Sequence, residues 1–341
     1  MKLKAIISAF MCTAMLTTAY AQSAITVENS DITETELTYN LSIPQSGTLI
    51  SALYGADGEL IKVESEAVSS GSKAKSISLD TEDETGKVKF MLWNSVSGMT
   101  PVSDSADQTW DKADIVKIVK VMPLGDSITD GFNIAGGYRN TLEAKILADG
   151  ISANVDFVGS SNKGTGYDRD NEGHSGWSIE AISSGDDIEK KGRKGLMTNI
   201  DGWMKTYAPD IVLLQIGTND ILSQYKLSDA QTRLEKLVDK ILAGLADGGK
   251  VYIAKIPYIS ISANYNKTGI TDQSVMNGQV DDFNKAVEAV AQAKGLTVVD
   301  VNGTLTLSDL ADGIHPNATG YEKLGNLWYN TIIGELNTRI N

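Results

Sequence analysis

The chain contains two histidines, His174 and His315. The second ends the string DGIH, Asp312 to His315. An aspartate three residues before a histidine can bring its carboxylate to the imidazole Nδ1–H, fix the tautomer and stabilise the imidazolium. An imidazole held in that way can take a proton from a serine hydroxyl. A candidate serine is Ser127 in VMPLGDSITDG, where an apolar run breaks into a Gly-Asp-Ser turn. The same three residue types are what an ordinary turn prefers, so this stretch alone says little. A further apolar run enters a polar turn in LLQIGTND, Leu213 to Asp220. There Asn219 can donate from its side-chain amide, or make an Asx-turn. The string DRDNEGHSGWSI, Asp168 to Ile179, supplies Gly176, whose backbone N–H can face a ligand with no side chain in the way. The acidic spacing of Asp168, Asp170 and Glu172 imitates a calcium loop, but Ile179 stands where a bidentate carboxylate is required.

These residues need elements that bring them together. From Ile25 to Asp104 the pattern is that of strands. ELTYNLSI places Leu37, Tyr39, Leu41 and Ile43 on one face at period two, and KVKFMLW does the same with Val88, Phe90 and Leu92. Asp57-Gly58 reads as a hairpin turn. Short strands between Gly, Ser and Asp turns predict a small all-β sandwich over 25–104. The polar stretch SDSADQTWDKAD reads as a linker, placed at 105–114. From 115 to 341 the rhythm is different. IVKIVKVMPL (a strand over Ile115 to Met122), DIVLLQIG, KVYIAKIP and LTVVDV are β-rich runs, two of them nearly continuous in apolar residues, as in buried parallel strands. Between them Leu234, Leu237, Ile241 and Leu245 share one helical face, and Val280, Phe283, Val287 and Val290 share another, with Gly295 as its stop. Alternating β and α predicts an α/β/α sandwich with a mainly parallel, flavodoxin-like sheet. Ligands then bind beyond the C-terminal ends of the strands, where the candidate residues fall.

The four strings GDSI, HSG, GTND and DGIH occur in this order, and in this conjunction the chain resembles the SGNH hydrolases, the GDSL esterase/lipase superfamily. The resemblance runs from about Ile115 to Ile340. One departure is Ile128, where that superfamily's name has leucine. No G-x-S-x-G string is present, so the α/β-hydrolase elbow is absent. The resemblance implies that Ser127 is the nucleophile, that His315 is its base and that Asp312 orients His315, unless a backbone carbonyl does so. It implies an oxyanion hole from the N–H groups of Ser127 and Gly176 with the Asn219 amide. The longer strings GGYRNTLEAKILADG, VDFVGSSN and DRDNEGHSGWSI are similar to those of secreted carbohydrate esterases, in particular acetylxylan esterases. That implies acetylated polysaccharide (xylan) as substrate, with Asp126, His174 and Trp177 as candidate substrate contacts. Trp177 suits a pocket wall and a core position equally, and His174 suits a structural or substrate-contacting place better than a catalytic one. Asp220 is placed to hold the GTND loop by its backbone N–H groups. Two alternatives stand beside this reading: a general short-chain esterase or lysophospholipase, and an inactive carbohydrate-binding SGNH protein. Trp93 and Trp110 form no aromatic row, which favours a spacer role for the sandwich over carbohydrate binding.

Composition agrees. The 341 residues are 41% hydrophobic and 22% charged, with a formal net charge of −14. That charge repels nucleic acid and anionic membrane surfaces and leaves a neutral polysaccharide unopposed. Met1 to Ala21 reads as a signal peptide: Lys2 and Lys4, a short apolar run, then Ala-Tyr-Ala. The run is shorter than the roughly 20 residues a membrane span needs, so the expectation is an exported protein without a membrane anchor. The single cysteine, Cys12, lies in that leader. No cofactor is implied, and no metal beyond a structural all-oxygen calcium site.

Overall fold

The computed structural model describes residues 24–340 apart from 34, 81, 99, 113, 114 and 116. The leader expected over 1–21 lies outside the described residues. Two compact units divide the chain, the second beginning at Lys117.

The first unit is a sandwich of two antiparallel sheets. One contains β1 (Thr26–Ile32), β2 (Glu36–Ile43) and β5 (Gly71–Ser78) in the order β1-β2-β5. The other contains β3 (Gly47–Gly55), β4 (Leu60–Val68), β6 (Thr85–Trp93) and β7 (Ala106–Asp111) in the order β4-β3-β6-β7. The alternation works as its period requires. Leu37, Tyr39, Leu41 and Ile43 meet Leu49, Leu53, Val88, Phe90 and Leu92 in one core. Tyr39 and Phe90 join the sheets edge to face, with ring centroids 5.0 Å apart. The hairpin between β3 and β4 closes at Gly55 to Gly58, where Gly58 has a φ of +83°.

The expected linker is not one. Most of it is strand β7, paired along β6 from Asp111↔Thr85 to Ala106↔Phe90. Its polar composition belongs to an edge strand with one face in solvent, and Trp110, on the other face, is buried in the sandwich core. The sandwich therefore runs to Asp111 rather than Asp104. Trp93 is buried as well, so neither tryptophan is available as an exposed platform.

In the second unit the strands are β8 (Val119–Gly125), β9 (Val155–Phe157), β10 (Ser161–Asn162), β11 (Asp170–Gly173), β12 (Ile211–Gln215), β13 (Lys250–Ala254) and β14 (Thr297–Val299). The sheet order is β10-β11-β8-β12-β13-β14, with β9 beside β11 on the same edge of β8. All pairs are parallel except β10 with β11. Strand β8 begins at Val119 rather than Ile115. The continuous apolar runs are explained by burial on both faces. Met122, Leu124, Val212 and Leu214 point to one layer, and Val121, Ile211 and Leu213 to the other. The first layer packs against α3 (Ile200–Tyr207), α5 (Ala230–Ala243) and α6 (Gln273–Lys294). The second packs against α2 (Tyr138–Ala148) and α8 (Ala318–Ile340). The short helices α1 (Ser127–Asp130), α4 (Thr218–Ser223) and α7 (Val301–Thr304) follow β8, β12 and β14 directly. Among the described residues no helix is long and apolar enough to cross a membrane.

Chain order places β8 in the centre, β9 and β11 on one side and β12 to β14 on the other. The direction of winding reverses at β8, which makes the crevice above β11, β8 and β12 the place for a ligand. Replacing Trp110 with alanine tests the revised boundary. Emptying a core position costs about 3–5 kcal/mol, whereas a linker residue costs well under about 1 kcal/mol. Urea denaturation of the full chain should show a transition destabilised by that amount; no change would return residues 106–111 to linker status.

Candidate active site

Register brings the candidate loops to one level. Gly125 pairs with Gly173 on one side and with Gln215 on the other. The three strands thus release their chains side by side: Ser127 after β8, Gly176 after β11 and Asn219 after β12. Ser127 opens α1, a single turn. Asp126 caps it by accepting the Ile128 N–H at 3.0 Å, and Gly131 closes it in the left-handed region at φ +83°. Arg139, buried on α2, steadies this turn. Its guanidinium donates to the carbonyls of Thr129 (3.2 Å), Lys163 (2.6 Å) and Arg169 (3.2 Å), tying α1 to the loop that precedes β11.

His315 comes from the segment before α8. Asp312 Oδ1 accepts the backbone N–H groups of Ile314 (3.0 Å) and His315 (2.8 Å), so one carboxylate oxygen folds the DGIH turn. Its other oxygen lies 2.7 Å from His315 Nδ1. The group on Nδ1 is thus the Asp312 carboxylate and not a backbone carbonyl. Gly313 supplies the positive φ the turn needs, +85°. His315 Nε2 lies 2.8 Å from Ser127 Oγ, across 188 positions of sequence. Burial pushes the Asp312 carboxyl up, but the donors from His315 and Ile314 outweigh it and hold it below the ordinary carboxylate value. Asn133, at φ +69°, adds a further donor to Asp312 Oδ2 at 3.1 Å.

Gly176 is the third residue of a turn closed by Trp177 N–H to His174 O at 3.1 Å. Its φ of +82° is the value that makes glycine the residue of choice there. The Asn219 amide is held at both ends. Oδ1 accepts from Arg193 Nη1 at 2.9 Å, and Nδ2 donates to Trp177 O at 2.8 Å. One amide N–H remains uncommitted by these two contacts. Ser127, Gly176, Asn219 and His315 line one cavity of about 240 Å³, together with Phe132, Ser175, Glu189, Lys191, Arg193, Leu222, Tyr265 and Ile314. Phe132 lies against the His315 ring at 4.4 Å between centroids, and Tyr265 meets it edge-on at 6.1 Å.

Three expected substrate contacts stand elsewhere. Asp126 is fully buried beneath Ser127. His174 is turned away from the cavity by Glu172, whose buried carboxylate lies 2.6 Å from its Nε2 and also accepts from Ser160 N at 2.7 Å and Ser160 Oγ at 2.6 Å. Trp177 and Trp203 flank His174 at 4.2 and 4.8 Å between ring centroids, so both His174 and Trp177 belong to an aromatic cluster outside the cavity lining. The Asp220 carboxylate, expected to hold the GTND loop, takes the Ile179 N–H of the loop after β11 at 3.2 Å and pairs with Arg233 at 2.5 Å. The carboxylates of the calcium-like string serve protein donors: Asp168 takes the Phe157 N–H at 2.6 Å, and Asp170 takes the Asn162 amide. Arg193, Asn133, Phe132 and Tyr265 also belong to the site, and no string in the sequence marks them. Only the fold brings them there.

A family model described as GDSL-like Lipase/Acylhydrolase family matches residues 124–323. The chain belongs to this family. Among GDSL-family relatives, a multidomain esterase of Ruminococcus flavefaciens is 37% identical over 232 residues, which is 64% of this chain. The chain spans only 29% of that relative's length. The solved structure of a Clostridium thermocellum family 3 carbohydrate esterase is 27% identical with a TM-score of 0.51, covering 66% of this chain and 100% of that one. An acetyl esterase, crystallised as a serine-to-alanine mutant with an acetate ion, is 25% identical with a TM-score of 0.50, over 65% and 99% of the two chains.

Burial gives this GDSL-family site a pH signature. Asp126 is pushed up to about 7 by loss of solvent, as is Glu143 on α2. Both hold protons in the folded chain over a range where the unfolded carboxyls, with pKa near about 4, have lost them. Their contribution to stability is therefore full at low pH and fades as the pH rises from about 4 to about 7. Asp126→Asn should flatten that decline when urea midpoints are compared at about pH 5 and about pH 7.5. An identical decline in the variant would remove Asp126 as a source.

Proposed function

We propose that the chain is a serine ester hydrolase that removes acetyl groups from an acetylated polysaccharide of the xylan type. The observation that carries the reading is the hydrogen-bonded row Ser127 Oγ–His315 Nε2 (2.8 Å) and His315 Nδ1–Asp312 (2.7 Å) at the wall of a small cavity.

The reaction follows from the row. His315 Nε2 accepts the Ser127 proton as Oγ attacks the ester carbonyl. Negative charge develops on the former carbonyl oxygen, where the backbone N–H groups of Ser127 and Gly176 and the free Asn219 N–H stabilise it; one such donor is worth about 2.7–4 kcal/mol. Asp312 keeps Nδ1 protonated and stabilises the imidazolium without taking its proton. The imidazolium then protonates the leaving alcohol, and water repeats the sequence on the acyl-enzyme.

Three features support an acetyl group on a sugar. The cavity, about 240 Å³, is smaller than the roughly 300–1,000 Å³ of sites that enclose larger ligands. Relatives named as carbohydrate and acetyl esterases cover nearly their whole length with this unit. The leaving alcohol must lie beside His315, and there Tyr265 is 47% exposed, a ring on which a pyranose can rest. In this reading the sandwich is a spacer, and the protein is exported through its N-terminal leader.

Acetate release from acetylated xylan should fall by roughly four orders of magnitude or more in Ser127→Ala with the circular dichroism spectrum unchanged. A variant that keeps releasing acetate would end the serine mechanism. On aryl esters, activity should drop sharply beyond a two-carbon acyl group; an even profile to eight carbons would favour a general esterase. Tyr265→Ala should lose more activity on acetylated xylan than on ethyl acetate, by roughly fivefold for about 1 kcal/mol of lost apolar contact. Equal losses on the two esters would remove Tyr265 from sugar contact.

A further inference from the structure

Arg193 is the cation nearest the reacting centre by connectivity, and no motif includes it. Its side chain is only 5% exposed, yet it lines the cavity. Its main chain is fixed by reciprocal hydrogen bonds with Ile182, 2.9 Å in each direction. The guanidinium then reaches four groups. Nη1 donates to Asn219 Oδ1 at 2.9 Å and lies 3.4 Å from Gly176 O. Nε donates to Ser223 Oγ, and Nη2 donates to Glu189 at 3.1 Å. Two of these partners, Asn219 and Gly176, carry the oxyanion donors of the proposed reaction.

From these contacts we propose that Arg193 is the positioning residue of the oxyanion site, setting the Asn219 amide and polarising it toward the developing charge. The inference rests on the ester-hydrolase reading above. Its physical basis is the amide's two-fold ambiguity. Turned over, the Asn219 amide would set Nδ2 against a guanidinium that can only donate, and Oδ1 against a carbonyl that can only accept. Arg193 and Trp177 O therefore permit one orientation, the one that leaves an N–H free. The charge does more than orient. A cation on Oδ1 draws density from the amide and makes the remaining N–H a stronger donor, as in any linked hydrogen-bond row. Because Glu189 lies 3.1 Å from Nη2, the guanidinium acts on the oxyanion through the Asn219 amide rather than through its net field. Glu189, which also lines the cavity, pairs with the guanidinium and offsets its charge, and Lys191 shares that carboxylate.

The test is a double-mutant cycle on an aryl acetate. Arg193→Met in the otherwise unchanged chain should lower kcat roughly 10- to 100-fold, with KM within about threefold. In an Asn219→Ala background the same change should cost less than about threefold more, because the group that Arg193 positions is gone. Arg193→Lys, which keeps charge and reach but not the fork, should recover part of kcat and serves as the second variant if Arg193→Met does not fold. Full losses of kcat in both backgrounds would mean that Arg193 only holds the loop together, and would overturn the proposal alone. A wild-type chain that cleaves no ester would overturn it together with the reading on which it rests.

Discussion

Three strands must end at the same height, and two glycines make that possible. A Cβ on Gly125 would stand 2.2 Å from Gln215 O and 2.6 Å from Thr129 Oγ1. A Cβ on Gly173 would stand 2.4 Å from the Asp130 amide nitrogen. No side chain fits at either place, so β8, β11, β12 and the turn α1 pack backbone against backbone. Separated by even one methyl, Ser127, Gly176 and Asn219 would no longer share one small cavity. The constraint is steric, and it comes before any catalytic residue is chosen.

That closeness creates an electrostatic problem beneath the cavity. Asp126 and Asp220 are both fully buried and repel each other. Desolvation of two neighbouring carboxylates is unfavourable unless cations or donors compensate. Arg233 meets Asp220 directly, and its guanidinium lies over the Tyr225 ring at 5.2 Å. Burial, with the Asp220 charge, raises Asp126 to about 7, against the Ile128 amide and the more distant Arg193. The two carboxylates therefore divide their work. Burial raises the Asp220 carboxyl too, against the pull of Arg233, and it anchors Ile179 and the loop after β11, while Asp126 caps α1. The arginines are as much a part of the site's construction as the triad-like row above them.

The parts of the fold legible in the sequence are those with a period or a local bond. Leu37 to Ile43 and Val88 to Leu92 alternate, so their strands could be read. Asp312 and His315 sit in one turn, and two backbone N–H groups of that turn close on the aspartate itself; a pairing so local survives in the spacing. Strand β7 hid because its solvent face and its edge position both favour polar residues, leaving Trp110 as its one apolar signal. Helix α8 carries Leu324, Trp328, Ile332 and Leu336 at every fourth position, but Gly320, Gly325 and Gly334 depress its helical signal. Gly325 is there for α2, whose Tyr138 carbonyl lies 2.6 Å from where its Cβ would be. Arg193 sits in KKGRKG, a string that looks like a solvated basic run. Only Ser223 and Asn219, some thirty positions later, make it a buried cation.

The cavity has two unlike walls, and the division matches the two halves of an ester. On one side Phe132 and Tyr265 surround His315 with aromatic faces and edges. On the other, Asn219 and Gly176 present amide donors, beside the paired charges of Arg193, Lys191 and Glu189. In the proposed reaction the alcohol must leave beside the imidazolium that protonates it, and the carbonyl oxygen must turn toward the donors. An aromatic wall beside the leaving group favours a ring with an apolar face, as a sugar has, without demanding a charge on it. Amide donors beside the oxygen favour negative charge that exists only in the transition state. A bound substrate that is itself anionic would be attracted before reaction as strongly as during it, and such uniform attraction does not raise kcat. Amide donors on one side and ring faces on the other thus suit a neutral ester in the proposed reaction, its alcohol met by shape and ring faces.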